Sequence, residues 1–579
     1  MVYMQYIELN QYFNSRFEEL LNKRTPDSYR VKSHNVLSIF EELCDLIEGW
    51  NKRRIQSPET VILCAEECIK LMEDDSWIDY SFYDKALLKD EITGYKAILE
   101  NKEKRNNIYE ISNKLKYACR KCIDINSNIY AENLFTYLIA QIKKTGDIDE
   151  KCYVKTMDSF EKALSFLCTE MLRLGYSKNF LYKNAQKLKD GKLNIDRMKQ
   201  ELLGQKAKKF RVIFKIQSNN YIAECKNAYN LVEKLEIELK SIPEYNKTKI
   251  HNFIETEGNK LFREFTVVAL DTYAAIKKAK ESMALLLDTL YLGNEVEKGK
   301  IHSQVLVLSD AGGLYPELRN HNYELDGNYD SNPEMSKLLK EKVDIILNNN
   351  LVKEDVKERL KSALRHLRMA NNSKDLELRF VNYWIALEFI FSSPINNENT
   401  FGRIKTHLIN ILIYSYGARN VKYLEKLLHE DGSLPKTESL LKMDDDKWHN
   451  LIDVVKDKRT QYRLCKIKSN LHSKDNINAY ISVHRKNLEW HIARIYRMRN
   501  ELIHEAALTQ DIEGVTSNLR FYLVFLLNQI VNYFSTDNKM QLSINDFFYE
   551  YENKANVVLL KKERDYVLNA NYYEMNLIC

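Results

Sequence analysis

Arg494-Ile495-Tyr496-Arg497-Met498-Arg499-Asn500-Glu501-Leu502-Ile503-His504-Glu505-Ala506 is the stretch on which the reading of this chain turns. Ile495, Met498, Leu502 and Ala506 recur at three- and four-residue steps, the period of an amphipathic helix, and residues 483–507 are expected to be helical. The same stretch carries Arg499-Asn500 and, four residues further on, His504. A guanidinium neutralises charge developing on a phosphate, a carboxamide orients a group, and an imidazole moves a proton near neutral pH. Those three groups together suit chemistry at a phosphodiester. At about 100° per residue Asn500 and His504 share a polar face, whereas Arg499 falls at the edge of the buried stripe, roughly 140° from His504. Arg497, two turns before His504, is aligned with it better.

The rest of the chain supplies the frame. At 579 residues it is too long for one ordinary core, so several domains are expected. Only 16 glycines and 7 prolines punctuate it, and sheet-rich proteins need turn residues far more often, so the expectation is a mainly α, multidomain protein. The 87 basic residues are nearly matched by 82 acidic ones, a balance that permits nucleic-acid binding without announcing it. Ten cysteines in so long a chain do not make a disulfide framework. Residues 1–14 mix tyrosine, asparagine and acid with apolar side chains, which is not a secretory pattern, so a cytoplasmic protein is expected. The longest apolar run, 521–534, is broken by Asn528, Gln529 and Asn532 and reads as a buried helix, with no membrane role.

Four segments follow from the patterning. Residues 1–204 are almost continuously helical, with breaks at Thr25-Pro26-Asp27-Ser28, at Ser57-Pro58 and near 144–149. Residues 205–332 change character. Strands are expected at 211–216, 263–270 and 303–308, and helices at 223–241 and 272–292, making a small α+β module. The Asp-, Gly- and Asn-rich stretch 309–333 is the linker candidate. Residues 333–542 return to helix, with a polar insertion of shorter helices at 418–480. The tail 543–579 is rich in aromatics, among them Phe547, Phe548, Tyr572 and Tyr573, and is expected to dock on the rest.

Several chemistries lack their signature. There is no glycine-rich phosphate loop, no His-Glu-x-x-His and no glycine-framed serine elbow. The turn at Ser309-Asp310 with Gly312-Gly313 has no following helix to receive an anion. Cys119 and Cys122 have the spacing of half a zinc site, but Cys152 and Cys168 do not complete it, and Cys64 with Cys68 reads as core filler. No metal and no cofactor is expected. Arg485 and His491 form a looser arginine–histidine pair upstream.

The Arg499-Asn500 pair with His504, together with Arg379-Phe380, Tyr383-Trp384 and Ala386-Leu387-Glu388 on an earlier helix, resembles the HEPN superfamily of prokaryotic ribonucleases, its Apea-like branch in particular. The resemblance covers roughly residues 335–540 and identifies 333–542 as a HEPN-like helical bundle. It implies a metal-independent endoribonuclease of antiphage, abortive-infection systems, cutting RNA (tRNA among the candidates) to a 2′,3′-cyclic phosphate. It further implies a homodimer through the C-terminal domain, with His504 as general acid or base, Arg499 stabilising the charged phosphorane, Asn500 orienting the site, and Arg497 and Glu388 in support. A half-buried Arg499 needs its charge answered, and a partner subunit or an RNA phosphate would do so. The helical region 1–204 would then sense infection, with a phage-derived trigger, and gate the nuclease. The competing expectations are a non-catalytic HEPN fold that binds RNA or dimerises, and a helical scaffold for other proteins.

Overall fold

The computed structural model describes residues 8–24, 34–55, 57–101, 108–148, 152–218, 220–235, 244–255, 260–291, 300–309, 317–320, 325–327, 333–392, 400–504, 512–536 and 541–568. The turn at residues 25–28, the Asp310 to Gly313 turn, Ala506, Tyr572 and Tyr573 lie outside them. The protein is mainly helical with one four-stranded sheet in the middle of the chain. It divides into two compact units, residues 1–169 with 325–579 and residues 170–324. Most of the segment 1–204 therefore falls in the same unit as 333–542.

The first unit begins with α1 (Leu9–Leu21), α2 (Val36–Asn51), α3 (Glu59–Asp74), α4 (Lys85–Glu100), α5 (Ile108–Asn126), α6 (Tyr130–Ile142) and α7 (Tyr153–Arg173). α2 shows why these helices form where they do. Asn35 accepts a hydrogen bond from the Ser38 backbone N–H at 2.9 Å while Ser38 Oγ accepts one from Asn35 N at 3.0 Å, a reciprocal cap for the first turn. Val36, Ile39, Phe40, Leu43 and Ile47 then bury one broad face.

The second unit holds α8 (Lys178–Lys189), α9 (Ile195–Gly204), β1 (Lys208–Gln217), α10 (Asn220–Cys225), α11 (Glu244–Glu255), β2 (Lys260–Ala269), α12 (Thr272–Tyr291), β3 (Lys300–Ser309) and β4 (Glu317–Asn320). All pairings are antiparallel, in the order β2-β1-β3-β4. β1 is central and covered on both sides. Phe210, Val212, Phe214 and Ile216 pack with α12, and Ile213 packs with Ile250 and Phe253 of α11. The three expected strands are present. Of the expected helix at 223–241, residues 236–241 lie outside the described residues and the rest is helical only to Cys225, where α10 ends; Asn230 takes a left-handed φ of 51°, and Val232 bridges to Phe262. β4 lies inside the expected linker, where four polar-ended residues were too short a run to read as a strand.

The first unit resumes with α13 (Pro333–Asn348), α14 (Glu354–Asn372), α15 (Leu376–Phe391), α16 (Thr400–Arg403), a π-helical turn at Ile404–Leu408, and α17 (Ile409–Glu430). It continues through α18 (Asp445–Val454), α19 (Lys458–Leu471), α20 (Lys474–His504), α21 (Ile512–Phe534), α22 (Ile544–Lys561) and α23 (Arg564–Leu568). The expected insertion at 418–480 begins inside α17. The tail docks on α15, the π-helical turn and α17: Phe548 stacks on His407 at 4.6 Å and on Phe391 at 5.0 Å, and Gly417 of α17 leaves room for Val567 where any Cβ would collide. Among the described residues no helix is long and apolar enough to cross a membrane.

Ion pairs join the N-terminal helices to α19 and α20. Glu19 meets Arg463 at 2.8 Å, Asp158 meets Lys466, Glu66 meets Lys486 at 3.2 Å, and Glu42 and Glu67 meet Arg494 at 2.9 and 2.6 Å. In each of them the carboxylate is N-terminal and the cation C-terminal. The exposed pairs contribute little. Arg494 differs because it is buried, so removing it takes the cation from Glu67 and one of two arginines from Glu42. Arg494→Ala should therefore cost roughly 3–5 kcal/mol. The expected outcome is a clearly lower melting temperature in a thermal scan, while Lys486→Ala at the exposed pair leaves it nearly unchanged.

Candidate functional site

α20 is a single unbroken α-helix of 31 residues, roughly 46 Å long at 1.5 Å per residue. It lies between α3 and α15, and its arginines divide between those two sides. Arg494 and Arg497, three residues apart, face the N-terminal helices. Arg497 Nη2 donates to Glu42 Oε1 at 2.6 Å and its Nε lies 3.6 Å from Glu501. Arg499 is two residues further on, about 200° around the helix, and faces α15. The regular helix keeps the separation of roughly 140° between Arg499 and His504 expected from the sequence. His504 is the last residue of α20, and its side chain lies outside the described part of the structure.

Arg499 is answered by Glu388. Its Nη2 is 3.3 Å from Glu388 Oε1, and its Nη1 donates to Asn500 Oδ1 at 3.0 Å. Glu388 is itself oriented by its own helix, where Trp384, one turn earlier, donates from Nε1 to Glu388 Oε1 at 2.6 Å. α15 is fixed at both ends. Asp375 Oδ1 caps its start by accepting from Leu378 N at 2.8 Å, and Arg359 and Arg403 donate to the carbonyls of Phe389 and Phe391 at its end, each at 2.8 Å. Tyr496, on the same side of α20 as Arg499 and Asn500, stacks on Phe401 at 4.1 Å and meets Trp384 at 5.8 Å. The floor of the site is therefore aromatic, with Glu388, Arg499 and Asn500 above it. Arg499 Nε is buried with no hydrogen-bond partner among the described residues, a donor held ready in a low-dielectric setting.

The structure thus brings Glu388, Arg499 and Asn500 together, and turns Arg497 to the opposite side. Residues that the sequence did not single out are Tyr496, Phe401 and, for positioning, Arg494 with Glu42 and Glu67. Burial pushes the Glu42 carboxyl up, but Arg494 and Arg497, with His34 at 2.9 Å, outweigh that and hold it well below the usual carboxylate range. Its contribution to stability is present above about pH 4.5 and is lost as pH falls through the lowered value.

The looser pair Arg485 and His491 is placed apart from this chemistry. Arg485 lies 3.5 Å from Glu489. His491 is half-buried against α21, with Nδ1 2.9 Å from Tyr522 Oη and Nε2 accepting from Asn518 Nδ2 at 3.0 Å. Burial first, then Arg494 and His34, push it down to about 3. A histidine so placed stays neutral and shuttles no proton at physiological pH. Cys119 and Cys122 are buried on α5, and the Cys44 thiol of α2 donates to the Lys116 carbonyl of α5 at 3.7 Å. Among the described residues no cluster of three or more His, Cys, Asp or Glu is placed to hold a metal ion.

The depressed value of His491 fixes the sign of a pH effect. Between about pH 6.5 and about 3 the unfolded chain binds a proton at this position that the folded chain refuses, so stability falls as pH falls through that window. His491→Gln keeps the hydrogen bonding and removes the titration. The variant should melt closer to the parent at pH 5 than at pH 7 in paired thermal scans, and an equal gap at both values would refute the buried neutral histidine.

Compared with protein-family models, with curated proteins and with solved structures, the chain finds no match, and its function is argued from the chemistry of this site.

Proposed function

We infer that this chain is a metal-independent endoribonuclease of the HEPN type, acting in antiphage defence and gated by its N-terminal helices. The observation that carries the reading is Arg499: largely buried, held at one Nη by Glu388, next to Asn500, with Nε left unanswered. A scissile phosphate would take up that donor. His504, just over one helical turn later, would take the proton from the ribose 2′-hydroxyl or return one to the leaving 5′-oxygen. The 2′-oxygen bonds to phosphorus, the bond from phosphorus to the 5′-oxygen breaks, and a 2′,3′-cyclic phosphate and a 5′-hydroxyl remain. Arg499 stabilises the charge of the phosphorane between them. Because positions 499 and 504 lie roughly 140° apart around a regular helix, two copies of the chain would complete one cleft. The substrate is RNA, tRNA among the candidates, and a phage-derived trigger would release the N-terminal helices.

The Arg499–Glu388 pair also favours a second reading. Its charge is answered inside the chain, as in a HEPN fold that holds RNA or dimerises without cutting.

Total RNA and tRNA incubated with the purified chain in EDTA decide between them. The expected result is cleavage with 2′,3′-cyclic phosphate ends, reduced about a hundredfold or more in Arg499→Ala and in His504→Ala, with melting temperatures kept. Intact RNA that remains bound gives the second reading, and RNA neither cut nor bound removes both. Light scattering should report a dimer at micromolar concentration; a fully active monomer would remove the shared cleft.

A further inference from the structure

The outward face of α14 changes sign along its length. Glu354, Asp355 and Glu358 occupy the first half, and Lys361, Arg365 and Arg368 the second. The acids at the start are answered locally, with Arg359 Nε 2.8 Å from Asp355 and Lys357 Nζ 3.6 Å from Glu354. Lys361 reaches Glu354 at 4.0 Å. Arg365 and Arg368 are exposed and have neither ion pair nor hydrogen bond among the described residues.

Beside them lies an aromatic surface. Phe389 of α15 is 41% exposed and stacks on His366 of α14, with ring centroids 5.4 Å apart and planes 25° from parallel. The imidazole is held in that plane by Asn382 Oδ1, 2.9 Å from its Nδ1. Met369, one turn after Arg365, is also exposed. Cations near a helix C-terminus complement the helix dipole, which accounts for positive charge there. It does not account for an exposed, oriented ring pair alongside.

Free guanidiniums next to a flat aromatic face match one polymer best. Single-stranded RNA offers phosphates to the first and unstacked bases to the second. We propose that the α14–α15 face holds single-stranded RNA, with Arg365 and Arg368 on the phosphates and a base on the Phe389–His366 stack. The proposal rests on the ribonuclease reading and deepens it. Phe389 follows Glu388 directly, so a strand held here is one residue along α15 from the partner of Arg499. The helix ridge that separates the two would bend the strand around it, splaying bases apart before the scissile phosphate.

The test uses the full chain and a fluorescein-labelled 20-nucleotide oligo(U) RNA, by anisotropy in EDTA at a series of salt concentrations. Arg365→Glu with Arg368→Glu should weaken binding more than tenfold and reduce the salt slope by about 1.4, two phosphate contacts at about 0.7 each. Phe389→Ala should weaken binding about tenfold with the slope unchanged. Lys442→Glu with Lys447→Glu, the same change of net charge placed elsewhere, should bind like the parent. If the charge reversal lowers the melting temperature, Arg365→Gln with Arg368→Gln serves instead. Parental affinity and slope in the arginine variants overturn the proposal, and cleavage by the parent would then leave the ribonuclease reading standing. A parent that neither binds nor cuts overturns both. A dimer that becomes monomeric in the arginine variants makes this face a contact between copies and overturns the RNA assignment.

Discussion

Glu42 is the residue on which the placement of the site depends. It sits on α2, largely but not fully shielded from solvent, and takes hydrogen bonds from Arg494 and Arg497 of α20 at 2.9 and 2.6 Å. A carboxylate without those cations would be costly in the interior, and the two arginines without Glu42 and Glu67 equally so. The four groups are mutually required. They fix the rotation of α20 about its axis, because a turn of the helix in either direction would strand buried charge. Once that rotation is set, Arg499 can only point toward α15. The ion pairs around the N-terminal helices therefore do more than attach them: they aim the candidate site.

Much of the architecture was legible from spacing alone. Three- and four-residue apolar steps located α2, α3, α15, α20 and α21, and the β-branched run at 211–216 located β1 because a central strand covered on both faces reads as nearly continuous apolar sequence. The failures have physical causes. Within the helix expected at 223–241 the apolar residues were periodic, but among the described residues the chain turns at Asn230 and bridges to β2 at Val232, a pairing that no local period encodes. β4 is too short to carry a pattern and is defined only by its pairing with β3. The first unit draws on both ends of the chain, so no boundary in composition marks it.

The site was half legible. Trp384 and Glu388 stand one turn apart, and so do Tyr496 and Asn500, which is information local to each helix. That Glu388 would meet Arg499, and that Glu42 would meet Arg494, is set by packing over separations of 111 and 452 residues, which no local pattern encodes. The position of Arg499 at the edge of the buried stripe was nevertheless a true signal. It marked an arginine that tertiary structure had to answer, and the answer came from a glutamate on a neighbouring helix.

That answer bears on what the site can do. An arginine paired with a carboxylate and left with one unfilled donor is poised between a structural and a chemical role. Glu388 lowers the attraction of Arg499 for any anion, yet with Asn500 it holds the guanidinium in place, so less ordering would remain to be done when a phosphate arrives. A doubly charged phosphorane competes with Glu388 more strongly than a singly charged phosphodiester does. In the proposed ribonuclease reaction the pair would favour the transition state over the bound substrate, which is the condition for raising a rate rather than only an affinity. Regular helix geometry adds the second constraint, since Arg499 and His504 diverge by roughly 140° on an unbroken α20. In the proposed reaction, which needs both groups, a second copy of the chain would supply one of them.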